Sequence, residues 1–154
     1  MFDDYELFQG AVLRQLIVDA DCPIAARPFV DEGRISAFVL NERVGIFLKH
    51  SSKRMPPWGF TLRATEVEKV LQHLEKQFAT YMLFICGRDG VAALDMSMLR
   101  SIIDFEETDS AWIRVERKRR SMYGVSGNRG ALPHKVSRGA DPIFESLRTP
   151  RSGC

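Results

Sequence analysis

The run Tyr81-Met82-Leu83-Phe84-Ile85-Cys86 is apolar at every position. Successive side chains of a strand point to opposite faces, so a strand with no polar face has to be buried on both sides. The run therefore predicts a mid-sheet strand, around which the rest of the chain is arranged. Gly87-Arg88-Asp89-Gly90 follows it with turn-forming residues, and Val91–Leu94 returns as its hairpin partner.

Upstream, Tyr5, Phe8, Val12 and Leu16 recur at the helical period, with Leu13 and Ile17 widening the stripe and Asp3 or Asp4 available as cap. After Cys22-Pro23 the pattern changes. Ile24–Val30, Ile35–Leu40 and Val44–Leu48 are short β-rich runs punctuated by Asp31-Glu32-Gly33 and Asn41-Glu42-Arg43, the pattern of an antiparallel meander. Trp58, Phe60 and Leu62 alternate as a fourth strand, and Thr65-x-x-Glu68 reads as a capping box opening a helix that runs to about Gln77. Asp95 or Ser97 caps a short helix through Leu99, Ile102 and Ile103, followed by Trp112–Glu116 and an edge strand at Met122–Val125. The expected fold is α+β: residues 1–132 form one domain, and 133–154, without apolar periodicity, form a basic, partly ordered tail that adds little to the fold.

Composition is ordinary for a globular protein, with 45% hydrophobic and 27% charged residues. The longest apolar stretch, the six residues at 81–86, is far below the roughly 20 needed to span a bilayer, so no membrane partner is expected. Asp3, Asp4 and Glu6 stand where an export signal carries positive charge, and the three cysteines lack any C-x-x-C spacing. The expectation is a cytoplasmic chain. Charge is uneven: residues 1–110 hold 12 Lys/Arg against 17 Asp/Glu, whereas 111–154 hold 10 against 3. A local excess of this kind attracts phosphate backbones or acidic protein surfaces.

The order helix, three-strand meander, helix, central strand resembles, over about residues 3–87, the core of the PD-(D/E)xK nuclease superfamily, which has a restriction-endonuclease-like fold. In such enzymes a carboxylate on the second strand and a Glu-x-Lys on the third hold a divalent metal. The resemblance places the lysine on Lys49. It places the glutamate on Phe47 and the aspartate near Ser36, neither of which supplies the hard oxygen anions that Mg²⁺ needs. Glu6 matches an extra acid found on the first helix of some members. The implied protein is a degenerate nuclease, with no complete metal site and no cofactor. If any catalysis survives, it is metal-dependent cleavage, with Lys49, Glu6 and His50 as the candidate residues. The strings 44–54, Pro57-Trp58-Gly59-Phe60-Thr61, 86–90 and Met122–Gly127 also resemble a family of uncharacterised prokaryotic proteins, with a K-x-S … P-W-x-F pattern and no activity to carry over.

Read physically, Lys49, Ser51, Lys53 and Arg54 offer cationic and hydroxyl donors suited to phosphate, and Trp58 beside them is a candidate base-stacking platform. Arg117-Lys118-Arg119-Arg120 is a candidate phosphate-contacting run. Each has a plainer reading, a solvated loop for the cations and a core anchor for the tryptophan. The leading expectation is a nuclease-derived domain that binds DNA or RNA. Its rival is a protein-interaction module whose basic tail docks an acidic partner, and a homodimer is a further expected state.

Overall fold

The computed structural model describes residues 1–29, 35–105, 109–118 and 121–148. Its elements, in chain order, are α1 (Asp4–Asp19), β1 (Ala26–Pro28), β2 (Ala37–Leu40), β3 (Val44–Ser51), β4 (Trp58–Arg63), α2 (Ala64–Glu75), β5 (Ala79–Cys86), β6 (Gly90–Asp95), α3 (Met96–Ile102), β7 (Ser110–Glu116), β8 (Gly124–Gly127), β9 (Gly130–Ala131) and α4 (Asp141–Leu147). The fold is α+β, with two sheets. The first has the order β1-β2-β3-β5-β6, the second β4-β7-β8-β9.

β1, β2 and β3 form the expected antiparallel meander, whose tight turn sets Asn41 and Glu42 at φ 53° and 52° while the Arg43 N–H donates to the Leu40 carbonyl at 3.0 Å. β5 lies between β3, to which it is parallel, and β6, to which it is antiparallel. Its two apolar faces are both covered. Met82, Phe84 and Cys86 enter a core shared with α2, α3 and the second sheet, whereas Leu83 and Ile85 enter a second core with Val12 and Leu16 of α1 and Ile143 and Leu147 of α4.

Four expectations need correction. α2 opens without the capping box: β4 runs directly into it, so Arg63, the last strand residue, is the N-cap, and the Ala64 N–H is satisfied by the Asp109 carbonyl at 2.9 Å. Glu68 pairs instead with Arg100 of α3 at 2.8 Å, and Arg100 also binds Glu75, so these acids tie two helices together. The segment Met122–Val125 is no edge, because β8 is paired to β7 on one side and β9 on the other. Ile17, expected on the core stripe of α1, is 56% exposed, while Gln9 is buried on the inner face.

The largest correction concerns the C-terminal segment. Through residue 148 it is packed rather than loosely attached. Tyr123 and Val136 exchange backbone hydrogen bonds of 2.8 Å, the Gly139 N–H donates to the Val91 carbonyl at 2.8 Å, and Arg43 donates to the Leu147 carbonyl at 3.0 Å. Ile143 and Leu147 are 0% and 1% exposed. Residues 149–154 lie outside the described residues.

Candidate functional site

β3 is longer than β2. Its register places Phe47 opposite Ala37, and the Leu48 N–H donates to the Ser36 carbonyl at 2.8 Å, so Lys49, His50 and Ser51 extend beyond the strand pairing on that side while remaining paired to Phe84, Ile85 and Cys86 of β5. Beside this extension, between α1 and the first turns of α2, lies a cavity of about 680 Å³. Ser36, Phe47 and Lys49, the three positions singled out by the nuclease resemblance, all line it, with Gln9 from α1 and Glu66 and Lys69 from α2. The buried Gln9 amide donates to the Ser36 hydroxyl at 3.3 Å. A divalent metal does not fit the described donor set: Phe47 contributes no donor, the Ser36 hydroxyl is neutral, and among the described lining residues Glu66 is the one carboxylate against two lysines. Among the described residues no group of three or more His, Cys, Asp or Glu is placed to hold a metal ion.

The remaining candidates divide. His50 lies on the opposite face of β3 from Lys49, stacked on Phe8 of α1 with ring centroids 5.0 Å apart, although it also borders the cavity. Glu6 is exposed and is not among the residues that line the cavity; its carboxylate accepts from the Asp3 N–H at 3.0 Å and caps α1. Trp58 is fully buried, its indole N–H donating to the Lys53 carbonyl at 2.9 Å and its ring edge-on to Tyr123, so it anchors the β3–β4 loop and offers no face to a base. Lys53 and Arg54 are exposed on that loop, and Lys53 Nζ donates to the Pro57 carbonyl at 3.0 Å.

Arg117 is committed elsewhere. Its Nε donates to Asp89 Oδ2 at 2.7 Å while a second guanidinium nitrogen binds Oδ1. Tyr123 donates to the same carboxylate at 2.7 Å, and Arg138 approaches it at 4.0 Å. Asp89 sits in the β5–β6 turn, so this cluster fastens the first sheet to the end of β7 and the start of β8. Hydrogen bonding from Arg117, outweighing partial burial, holds the Asp89 carboxyl below the ordinary carboxylate range. Burial, reinforced by the bond to Asp89, pushes the Tyr123 phenol up, and burial pushes the Cys86 thiol up to about 12. Lys118 is exposed, and Arg119 and Arg120 lie outside the described residues.

A depressed carboxyl stabilises the fold at pH values above its unfolded range, near 3.9 for an aspartate, and that contribution is lost as pH falls through the folded value. Wild-type unfolding free energy, measured in urea from pH 7 to pH 3, is therefore expected to drop more steeply at the acid end than that of Asp89→Asn. Parallel curves would contradict this role.

These groups meet at one end of the first sheet. Ser51 is opposite Cys86, the Gly87 N–H donates to the Ser51 carbonyl at 2.8 Å, and a Cβ on Gly87 (φ +54°) would lie 2.4 Å from the Lys53 carbonyl, so only glycine lets the loop close onto the turn. The carboxyl ends of β3 and β5 thus carry a basic rim of Lys49, Lys53, Arg54 and Arg88, continued by Arg117, Lys118 and Arg138 around the Asp89 carboxylate. Arg88, Asp89 and Arg138 carried no functional expectation from sequence. The signal for Asp89 was its place between glycines in a turn; what that turn faces is decided by residues at 117, 123 and 138. Compared with family models, curated proteins and solved structures, the chain matches none.

Proposed function

We propose that this chain is a nuclease-derived nucleic-acid-binding domain that grips phosphates without a complete metal centre. The reading is carried by the lining of the β3 cavity, where Lys49 and Lys69 stand against Glu66 among the described residues, and where Ser36 and Phe47 occupy the positions that the resemblance assigns to carboxylates. Such a lining attracts an anion where a nuclease would hold a cation. The succession α1, meander, α2, β5, with β3 and β5 parallel, supports the nuclease-like ancestry. Fold likeness alone carries no activity. The exposed Lys53, Arg54, Arg88 and Lys118 on the adjoining rim supply further phosphate contacts, which position a backbone without reading its sequence.

The test pairs two titrations. Calorimetry with Mg²⁺ or Mn²⁺ is expected to give a flat trace, while a labelled oligonucleotide binds in EDTA and Lys49→Ala weakens it several-fold. Micromolar metal binding abolished by Lys49→Ala would restore a metal-dependent nuclease instead.

A second reading, the protein-interaction module or homodimer, is favoured by one feature. The outer face of α1 exposes Leu7, Ile17 and Val18, at 56%, 56% and 60%. Sedimentation at micromolar concentration separates it: a dimer lost in Ile17→Glu with nucleic-acid binding intact would assign that face to self-association. No helix among the described residues is long and apolar enough to cross a membrane.

A further inference from the structure

We propose that the outward face of the second sheet, centred on Trp112, is a stacking platform for the bases of a single nucleic-acid strand. This rests on the nucleic-acid reading above and specifies the class of strand. β7 alternates strictly: Ala111, Ile113 and Val115 are buried, and Ser110, Trp112, Arg114 and Glu116 face outward. Trp112 is 48% exposed, in a chain whose other tryptophan is fully buried. Burying an indole is strongly favourable, so half-exposure on a regular strand leaves an aromatic face for a partner.

The surroundings suit a base. Thr61 of β4 lies opposite Trp112, and Gly59 lies opposite Arg114. A Cβ at Gly59 would meet nothing within 4 Å, so the missing side chain leaves open space in the strand face beside the indole. Trp112, Gly59, Thr61, Arg114, Pro57 and Lys53 border a shallow hollow of about 490 Å³ there.

Charge selects the partner. The cations Lys53, Arg63 and Arg114 stand on or beside this face; of the described acids, Asp109 lies at its far end next to Ser110, and Glu116, at the other end of β7, contacts Arg114 at 3.4 Å with both side chains about half exposed. A loose surface pair of that kind yields readily to a phosphate. Aromatic faces flanked by cations hold single strands because every base has a π-face to stack. A duplex keeps those faces inside its own stack and cannot present them to a flat sheet. Lys53 belongs both to this hollow and to the rim at the end of β3, so a strand lying on the platform continues onto the rim.

The test uses the full chain, a twelve-nucleotide oligothymidylate and a duplex of equal length at about 50 mM salt. The oligothymidylate is expected to quench the tryptophan emission, with the buried Trp58 as the unresponsive remainder. Trp112→Ala should abolish the quenching and lower single-strand affinity by about ten-fold or more, with duplex affinity little changed. Trp112→Phe should recover most of it, and Gly59→Val, which fills the space beside the indole, should lower it. Unchanged circular dichroism shows that each variant is folded. Tight binding of both nucleic acids with no quenching and no effect of Trp112→Ala overturns the platform and leaves the rim reading standing. Failure of both nucleic acids to bind sinks the rim reading and this inference with it. A wild-type oligomer that Trp112→Ala dissociates overturns the platform in favour of a protein interface.

Discussion

Deleting residues 133–154 is expected to abolish cooperative folding or to leave a protein that unfolds at a small fraction of the wild-type urea concentration. The segment supplies Val136, Ala140, Ile143 and Leu147 to the two cores, and Ile143 packs into the cluster that contains Val12, Leu16, Ile46, Leu48 and Ile85. Ile143→Ala alone should cost about 2–5 kcal/mol. A domain of ordinary stability has about 5–15 kcal/mol in total, so losing the whole segment consumes most or all of it. The deletion also leaves the backbone groups of Tyr123 and the carbonyl of Val91 without their partners. Equilibrium unfolding in urea, followed by tryptophan fluorescence, checks both variants. A deletion variant with an unchanged midpoint would show that α4 only rests on the surface.

The reason this segment is hard to see in sequence is its length. α4 has seven residues, and its core contacts reduce to Ile143 and Leu147, one turn apart, which is too little to register as a period. Tyr81–Cys86 was legible because six consecutive apolar residues force a two-sided burial whatever else the chain does. The meander was legible from Asn41-Glu42-Arg43, whose first two residues adopt the left-handed conformation the turn requires. α2 was placed correctly from Val67, Val70, Leu71 and Leu74, but its start was misread, since Thr65 and Glu68 match a capping pattern that a strand entering the helix directly makes unnecessary.

The candidate site was legible in part, for a comparable reason. Lys49, Ser51, Lys53 and Arg54 follow one another in sequence and are gathered by β3 and its loop. Trp58 was ambiguous, because an aromatic at a strand head either packs inward or stacks a base, and its indole hydrogen bond to Lys53 decides for packing. The Asp89 cluster joins residues 28 and 34 positions apart, and no local pattern announces such a meeting.

The second large effect concerns the rim. Replacing Lys49, Lys53, Arg54 and Lys118 together by glutamine should lower affinity for a generic duplex by about a hundred-fold or more at about 50 mM salt. Each phosphate contact contributes nearly one unit to the slope of log affinity against log salt, so the slope should flatten by up to about 3.5 units. Arg117 is left in place because it holds Asp89, and its loss would confound binding with folding. At Lys53, Arg54 and Lys118, which are exposed, the replacements should change stability little. A variant with the wild-type slope would place the phosphate contacts elsewhere.

The proposed binding of a polyanionic backbone through the end of β3 and its rim requires no divalent metal. The direct measurement is wild-type affinity for a twenty-nucleotide single strand and its duplex, in EDTA, as monovalent salt rises from about 50 to about 200 mM. Binding is expected at the low end, with a linear fall of log affinity with log salt, by several units of slope, for both nucleic acids. Absence of binding to either at about 50 mM, with or without added Mg²⁺, would contradict it.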